Sequence, residues 1–247
     1  MGLGPGGEEH LTPASRQALQ KAEVVAGYTT YIRLLPEGLL QDKEVVSTGM
    51  TGEIERCRTA VDRALQGRET AVVCSGDPGI YALAGLLLDT LQERQTLDTV
   101  PFRVIPGIPA FCAAASLLGA PLTHDFAAVS LSDLLTPWKT IEKRIQAALD
   151  GDFVLAIYNP RSRKRDWQLP RLLQIYQSRG AGDRPAGWVK NASREGETVH
   201  LTTVEALDPE EVDMYTTLII GNSQTRQLNR AMLTPRGYSA KYQGNSA

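Results

Sequence analysis

The chain has 247 residues, 42% hydrophobic and 22% charged, long enough to bury a substantial core as one large domain or two compact ones. Lys and Arg number 26 against 28 Asp and Glu, a formal net charge of −2, which gives no long-range field for nucleic acid. The longest apolar runs, YALAGLLL and FCAAASLLGAPL, are too short and too rich in Ala and Gly to span a bilayer, and no signal-peptide pattern opens the chain, so it reads as cytoplasmic.

In chain order, Thr12-Pro13 reads as an N-cap followed by Pro at the first helical position, opening a helix to about Glu23. VVAGY (24–28) reads as a short strand. Residues 53–66 place Ile54, Cys57, Val61, Ala64 and Leu65 on one helical face, with Gly67 as the stop. TAVVCS (70–75) suits a central parallel strand, and the loop GDPGIY leads to a helix ending near Leu91. FRVIPGIPAFCAAASLLG repeats the order of strand, glycine turn and small-residue helix, so two parallel strand–helix units imply a right-handed α/β layer. After GAPLTHDF come five strand candidates, AAVSLS, FVLAIYN, GWVKN, TVHLTT and TTLIIGN, and helices near 137–149 and 167–179, the first opened by Thr136-Pro137. GWVKN and TVHLTT, joined by the polar bridge ASREGE, read as an antiparallel pair. The expected division is therefore an N-terminal α/β domain over 1–122, a mixed-sheet domain over 123–238, and a polar tail over 239–247.

Cys57, Cys74 and Cys112 lie far apart inside apolar elements and read as core thiols of a reduced compartment. They and the three scattered histidines show no metal-ligand or cluster spacing, so no metal is expected.

Gly2, Gly4 and Gly7 in MGLGPGG match the spacing of a dinucleotide loop, but the context is wrong. Such a loop runs directly into a helix, and an acid about 20 residues on holds the ribose. Here the first helix signal is Thr12-Pro13 and the strand near residue 26 ends in Ala26-Gly27-Tyr28; no P-loop Lys follows either. SGDPGIY (75–81) and PGIPAF (106–111) are further glycine turns at the carboxyl ends of predicted parallel strands, where open α/β sheets bind ligands. Taken singly each is an ordinary turn. Taken together they suit a cofactor approached closely by backbone, with Asp77 available for an ammonium or hydroxyl group.

GLGPGG, SGDPGIY and PGIPAFCAAAS, in this order, resemble the tetrapyrrole methylases, and the resemblance runs from Met1 to about Tyr238. PLTHDFAAVSLSDLLTPW, YNPRSRKR, KNASREGE, LIIGNSQTR and MLTPRGY point to the corrin-forming, ring-contracting branch of that family. The resemblance implies a two-domain α/β tetrapyrrole methylase fold, an N-terminal mostly parallel sheet and a C-terminal mixed sheet with a cofactor cleft between them. It implies S-adenosylmethionine as cofactor, a precorrin tetrapyrrole as substrate, a homodimer, and methylation of C17 of precorrin-3B with ring contraction. Another tetrapyrrole position, a cobalt-containing substrate and a non-catalytic binding role stay open. Family members carry a strand immediately before the first glycine loop; this chain begins inside that loop, so the strand is expected to be missing.

By the same resemblance, Pro5, Ser75, Gly76, Asp77, Ile80, Ile108, Pro109 and Ala110 contact the cofactor from the first domain, and Asn159, Ala192 and Thr217 from the second. No Ser, Cys or Lys nucleophile is needed, because the nucleophile is a ring carbon of the substrate. For proton handling, His124 and Asp125 are the candidates, His having a suitable ordinary pKa; capping and backbone bonding are the alternative for both. Asp77 is an alternative acid–base group whose first expected duty is to hold the cofactor. The acetate and propionate arms of a precorrin call for guanidinium groups, and Arg161, Arg163 and Arg165, with Lys164, form the densest basic cluster.

Overall fold

Thr12 is extended at φ −62°, ψ 148°, and its Oγ1 accepts the N–H of Ser15 at 3.1 Å. That satisfies one of the donors a helix start leaves open, while Pro13 has none to lose. In the computed structural model, which describes residues 1–238 and Lys241, this cap opens α1 (Pro13–Lys21). The expected polar tail over 239–247 otherwise lies outside the described residues. By internal contacts the chain divides into two compact units, Met1–Ala110 and Phe111–Ala247. Residue 122, where the sequence changes character, falls inside the second.

In the first unit α1 is followed by β1 (Val24–Tyr28), α2 (Thr29–Ile32), β2 (Glu44–Thr48), α3 (Glu53–Leu65), β3 (Thr70–Val73) and α4 (Ala84–Glu93). The sheet runs β2-β1-β3, all parallel, with Val25 opposite both Val45 and Ala71. β1 is central, and Val24, Val25 and Ala26 are fully buried. The sequence reading passed over β2, an edge strand whose polar, half-exposed alternation hides it among loop residues. On α3, Cys57, Ala60 and Val61 are buried, but Ile54 and Leu65 are 56% and 47% exposed. Arg56 is buried in their place, its guanidinium on Thr48 Oγ1. The strand expected at FRVI does not form among the described residues; the segment gives one bond, Gly2 N–H to the Ile105 carbonyl at 2.9 Å.

The edge of β3 beyond Val73 is not bare. Residues 1–3 lie along it in parallel: Cys74 N donates to the Met1 carbonyl at 3.0 Å and Leu3 N to the Cys74 carbonyl at 2.8 Å. The Met1 ammonium donates to the Val72 carbonyl at 2.7 Å, and burial lowers its pKa.

From Phe111 on, the second unit contains the rest of α5 (Ala110–Leu118), whose first residue closes the first unit, then β4 (Gly119–Ala120), β5 (Phe126–Ser130), α6 (Trp138–Asp150), β6 (Val154–Tyr158), α7 (Gln168–Ser178), β7 (Pro185–Lys190), β8 (Thr198–Thr203), β9 (Thr216–Ile220), β10 (Arg226–Leu228) and β11 (Ala231–Leu233). Pro137, not Thr136, precedes α6, and it makes no side-chain cap. The main sheet is ordered β5-β6-β9-β7-β8: β5 and β6 are parallel, and the β6-β9, β9-β7 and β7-β8 pairs are antiparallel. Both the mixed sheet and the β7-β8 pair agree with the sequence reading. Side chains alternate across β6 and β9. Leu155, Ile157, Leu218 and Ile220 pack with Ile141 and Ile145 of α6 and Leu169, Leu172 and Tyr176 of α7. Val154 and Ile219 face the other way, toward Leu118 and Met232. A Cβ on Gly187 of β7 would stand 2.5 Å from Leu118 Cδ2, so this contact requires glycine.

Strand order fixes which loops meet. β9 is antiparallel to both β6 and β7, so the C-terminal ends of β5, β6 and β7 and the start of β9 share one edge of the sheet.

Candidate functional site

In the first unit the three glycine loops interlock. Gly4 and Gly76 exchange backbone hydrogen bonds, Gly76 N to the Gly4 carbonyl at 2.8 Å and Gly4 N to the Gly76 carbonyl at 3.1 Å. Gly4 at φ 72° and Gly76 at φ 66° are in the left-handed region that glycine enters without a Cβ clash. A Cβ on Gly2 would lie 2.4 Å from the Gly76 carbonyl oxygen and 2.6 Å from Gly107 N. Ser15 on α1 anchors the first loop from below, its Oγ donating to the Gly2 carbonyl at 2.8 Å.

Asp77 is the latch. One carboxylate oxygen accepts Gly79 N–H at 2.8 Å and the other accepts Gly107 N–H at 3.1 Å, joining the second loop to the third. Where Gly76 would carry a Cβ, the backbone of residues 108–110 stands 3.5 to 3.8 Å away, leaving a cradle of main chain. Pro5 is buried beside it, and Ser75, Ile80, Ile108, Pro109 and Ala110 are half-buried. All eight residues assigned to the cofactor in this unit therefore lie on three joined loops. The sequence reading named the loops that hold Gly2 and Gly107 without assigning either residue to the site; their signal is glycine where neighbouring main chains touch.

In the second unit, Asn159 directly follows β6, Ala192 follows β7, and Thr217 is the second residue of β9, all on the edge just described. Asn159 is held at φ 51°, and its Nδ2 donates to Ser130 Oγ at 2.9 Å. Ser130, which the sequence reading did not single out, ends the adjacent β5, and its Oγ also accepts Ser132 N–H at 3.2 Å.

The basic cluster divides. Arg165 is 9% exposed and donates from Nη2 to the Asn159 carbonyl at 3.1 Å; burial lowers its pKa, with Asp133 opposing. Arg161 is ion-paired with Glu210. Only Arg163, with Lys164, stands exposed at the tip of the turn closed by the Ser162–Arg165 bridge. Arg165 thus supports the Asn159 backbone rather than presenting a free guanidinium.

His124 and Asp125 are not brought to this edge. They precede the N-terminal end of β5, whereas Ser130 and Asn159 sit at the C-terminal ends of β5 and β6, roughly 16 Å away along a five-residue strand. His124 Nδ1 accepts the Asp125 N–H at 2.8 Å, and the side chains are 46% and 80% exposed. Their geometry is that of a turn joining β4 to β5, with the Asp125 carbonyl accepting Val154 N–H at 3.2 Å. Among the described residues, no three His, Cys, Asp or Glu side chains gather as metal ligands, and no helix is long and apolar enough to cross a membrane.

A lining of glycine main chain, prolines and short side chains, without a cationic cluster, fits a sulfonium cofactor better than a pyrophosphate. Comparison with known proteins agrees. The family profile for tetrapyrrole (corrin/porphyrin) methylases matches residues 1–208. A probable cobalt-factor III C(17)-methyltransferase of Salmonella typhimurium is 49% identical over 97% of this chain and 98% of its own. A precorrin-3B C(17)-methyltransferase of Sinorhizobium sp. is 33% identical over 98% and 97%. Among solved structures, the methyltransferase CobJ superposes with a TM-score of 0.89 at 36% identity, over 95% of this chain and 97% of that one. Uroporphyrin-III C-methyl transferase of Thermus thermophilus, complexed with S-adenyl homocysteine, gives 0.63 at 25% identity, over 90% and 95%.

Proposed function

The chain belongs to the tetrapyrrole methylase family, and from that premise we propose that it is an S-adenosylmethionine-dependent C-methyltransferase acting at C17 of a corrin precursor, with ring contraction. The observation that carries the reading is the 49% identity, over nearly the whole of both chains, to a protein named for that carbon on cobalt-factor III. The metal-free precorrin-3B is the alternative substrate, supported by a relative at 33% identity.

When bound, S-adenosylmethionine supplies an electrophilic methyl group on a sulfonium that leaves readily. The chain's own task is then alignment and the exclusion of water. Asp77 holds the second and third loops at fixed spacing through its two backbone donors. Pro5, Ile80, Ile108 and Pro109 add apolar cover around the main-chain cradle, and Ser75, Gly76 and Ala110 complete its wall. Asn159, Ala192 and Thr217 are assigned to the adenosine. Asn159, in its left-handed conformation, is held by Ser130 at its side-chain amide and by Arg165 at its carbonyl. Arg163 is assigned to a carboxylate arm of the substrate, while Arg161 and Arg165 act through the loop that carries it. His124 and Asp125 have no part in the assignment, since β5 separates them from Asn159. The working form is taken to be a cytoplasmic homodimer on the strength of the family resemblance, and a monomer in sedimentation equilibrium counts against that.

The test has two stages. Calorimetric titration with S-adenosylhomocysteine, beside NADH, is expected to show binding of the first alone. Incubation with S-adenosylmethionine and either cobalt-factor III or precorrin-3B is then expected to add one methyl group, read by mass spectrometry. Binding of S-adenosylhomocysteine without methylation of either tetrapyrrole overturns the substrate, and no binding overturns the cofactor.

A further inference from the structure

Leu134 and Leu135 are 85% and 99% exposed, the most exposed large apolar side chains among the described residues. They sit in the loop between β5 and α6, which leaves the sheet at the same edge as Asn159. The loop is anchored on both sides of its tip. Before the tip, Ser132 N donates to Ser130 Oγ at 3.2 Å and Asp133 Oδ2 accepts Gln168 Nε2 at 3.0 Å. After it, Trp138 packs edge-on against Trp167 at 4.8 Å and donates from Nε1 to Glu142 at 2.9 Å. The two leucines are thus held out into water by a braced loop, an arrangement that costs free energy unless something covers them.

The same anchors tie this loop to the neighbouring one over 159–167. Gln168 and Trp167 belong to the second loop and the helix it enters, Asn159 bonds to Ser130 across the pair, and Arg165 donates to the Asn159 carbonyl. The second loop lifts Arg163 and Lys164 at its turn, both exposed. An apolar tip and a cationic tip are therefore carried on linked bases, by loops that leave adjacent parallel strands at the same end of the sheet.

We propose that the Leu134-Leu135 tip is a contact for the apolar face of the tetrapyrrole substrate, working beside Arg163 and Lys164, which meet its carboxylate arms. The inference rests on the functional reading above. Charge complementarity selects this occupant: a flat apolar ring rimmed with carboxylates presents, on one molecule, the partner for each tip. A purely apolar partner leaves the cations unmatched, and a purely acidic one leaves the leucines in water.

The test is the double variant Leu134→Ser/Leu135→Ser, which removes apolar surface from a fully exposed tip and disturbs none of the anchors. The KM for cobalt-factor III or precorrin-3B, whichever the wild-type protein methylates, is expected to rise by roughly tenfold or more. Affinity for S-adenosylhomocysteine and the melting temperature are expected to stay as in the wild type. Arg163→Gln/Lys164→Gln is expected to raise the same KM and to flatten its dependence on salt, which the leucine variant keeps. An unchanged tetrapyrrole KM in the leucine variant overturns the proposal and leaves the functional reading standing. A change in sedimentation mass in that variant also overturns it, making the tip a contact between copies of the chain. If the wild type binds S-adenosylhomocysteine but neither methylates nor binds a tetrapyrrole, the functional reading fails and takes the proposal with it.

Discussion

Gly107 shows how little space the candidate cofactor loops leave. A Cβ there would stand 2.2 Å from the Gly76 carbonyl oxygen and 2.9 Å from Gly2 Cα, both backbone atoms with no side chain to move aside. Gly107→Ala is expected to push the loops apart, costing about 1–3 kcal/mol of stability and at least tenfold in S-adenosylhomocysteine affinity. Gly85 is the matched control. It lies in α4 with nothing within 4 Å of its would-be Cβ. Gly85→Ala is expected to raise stability by about 0.5–1 kcal/mol, because alanine loses less backbone freedom in a helix. Urea unfolding and calorimetry on the two variants test the contrast, and equal behaviour would show that the interlock is unimportant. Asp77 makes the same point with a charge: both its oxygens hold backbone N–H groups, so its first duty is to fix the distance between two loops.

Among elements, β2 is the least protected, an edge strand whose side chains alternate between half-buried and exposed. Glu44 at its start binds Arg63 Nε of α3 at 2.7 Å and also Arg68. The Arg63 hydrogen bond, then that from Arg68, holds the Glu44 carboxyl below its ordinary pKa. The folded state therefore favours the ionised form. The resulting stabilisation is present above the ordinary carboxylate range and is lost as pH falls through the lowered folded value. Glu44→Gln is expected to melt below the wild type near neutral pH, with the gap closing under about pH 4. A gap that persists in acid would mean that Glu44 acts through packing. At the opposite extreme, β6 and β9 are buried almost throughout and anchor the second sheet.

Over the whole molecule the three cysteines give a readout of the two units. Cys57 and Cys74 are buried in the first, and burial pushes the Cys57 thiol up to about 11 and the Cys74 thiol up as well. Cys112, in the second, is exposed, contrary to its expected place in the core, because its position on α5 faces away from Phe111, Ala113 and Ala114, which are buried. One thiol is expected to react with a disulfide reagent in the native protein, and the other two only as the first unit unfolds in urea. Rapid reaction of all three in the absence of denaturant would contradict the burial of Cys57 on α3 and of Cys74 just after β3.

Much of what depends on residues close together in the chain was legible beforehand, the edge strand β2 and the strand wrongly expected at FRVI being the exceptions. Thr12-Pro13 opened α1, β-branched runs marked β1, β6 and β9, and a short polar bridge predicted the pairing of β7 with β8, because caps, periodicity and turns are local interactions. The glycine loops were legible too, since close main-chain approach demands glycine whatever the fold around it. Tertiary structure alone decided the rest. The order β5-β6-β9-β7-β8 puts Asn159, Ala192 and Thr217 on one edge and leaves His124 and Asp125 at the other. It buries Arg165 beneath its own loop, while α3 buries Arg56 and exposes Ile54. The physical reason is that strand order and helix facing are set by contacts between segments far apart in the chain. Local sequence carries a residue's chemistry but not the neighbours that chemistry will meet.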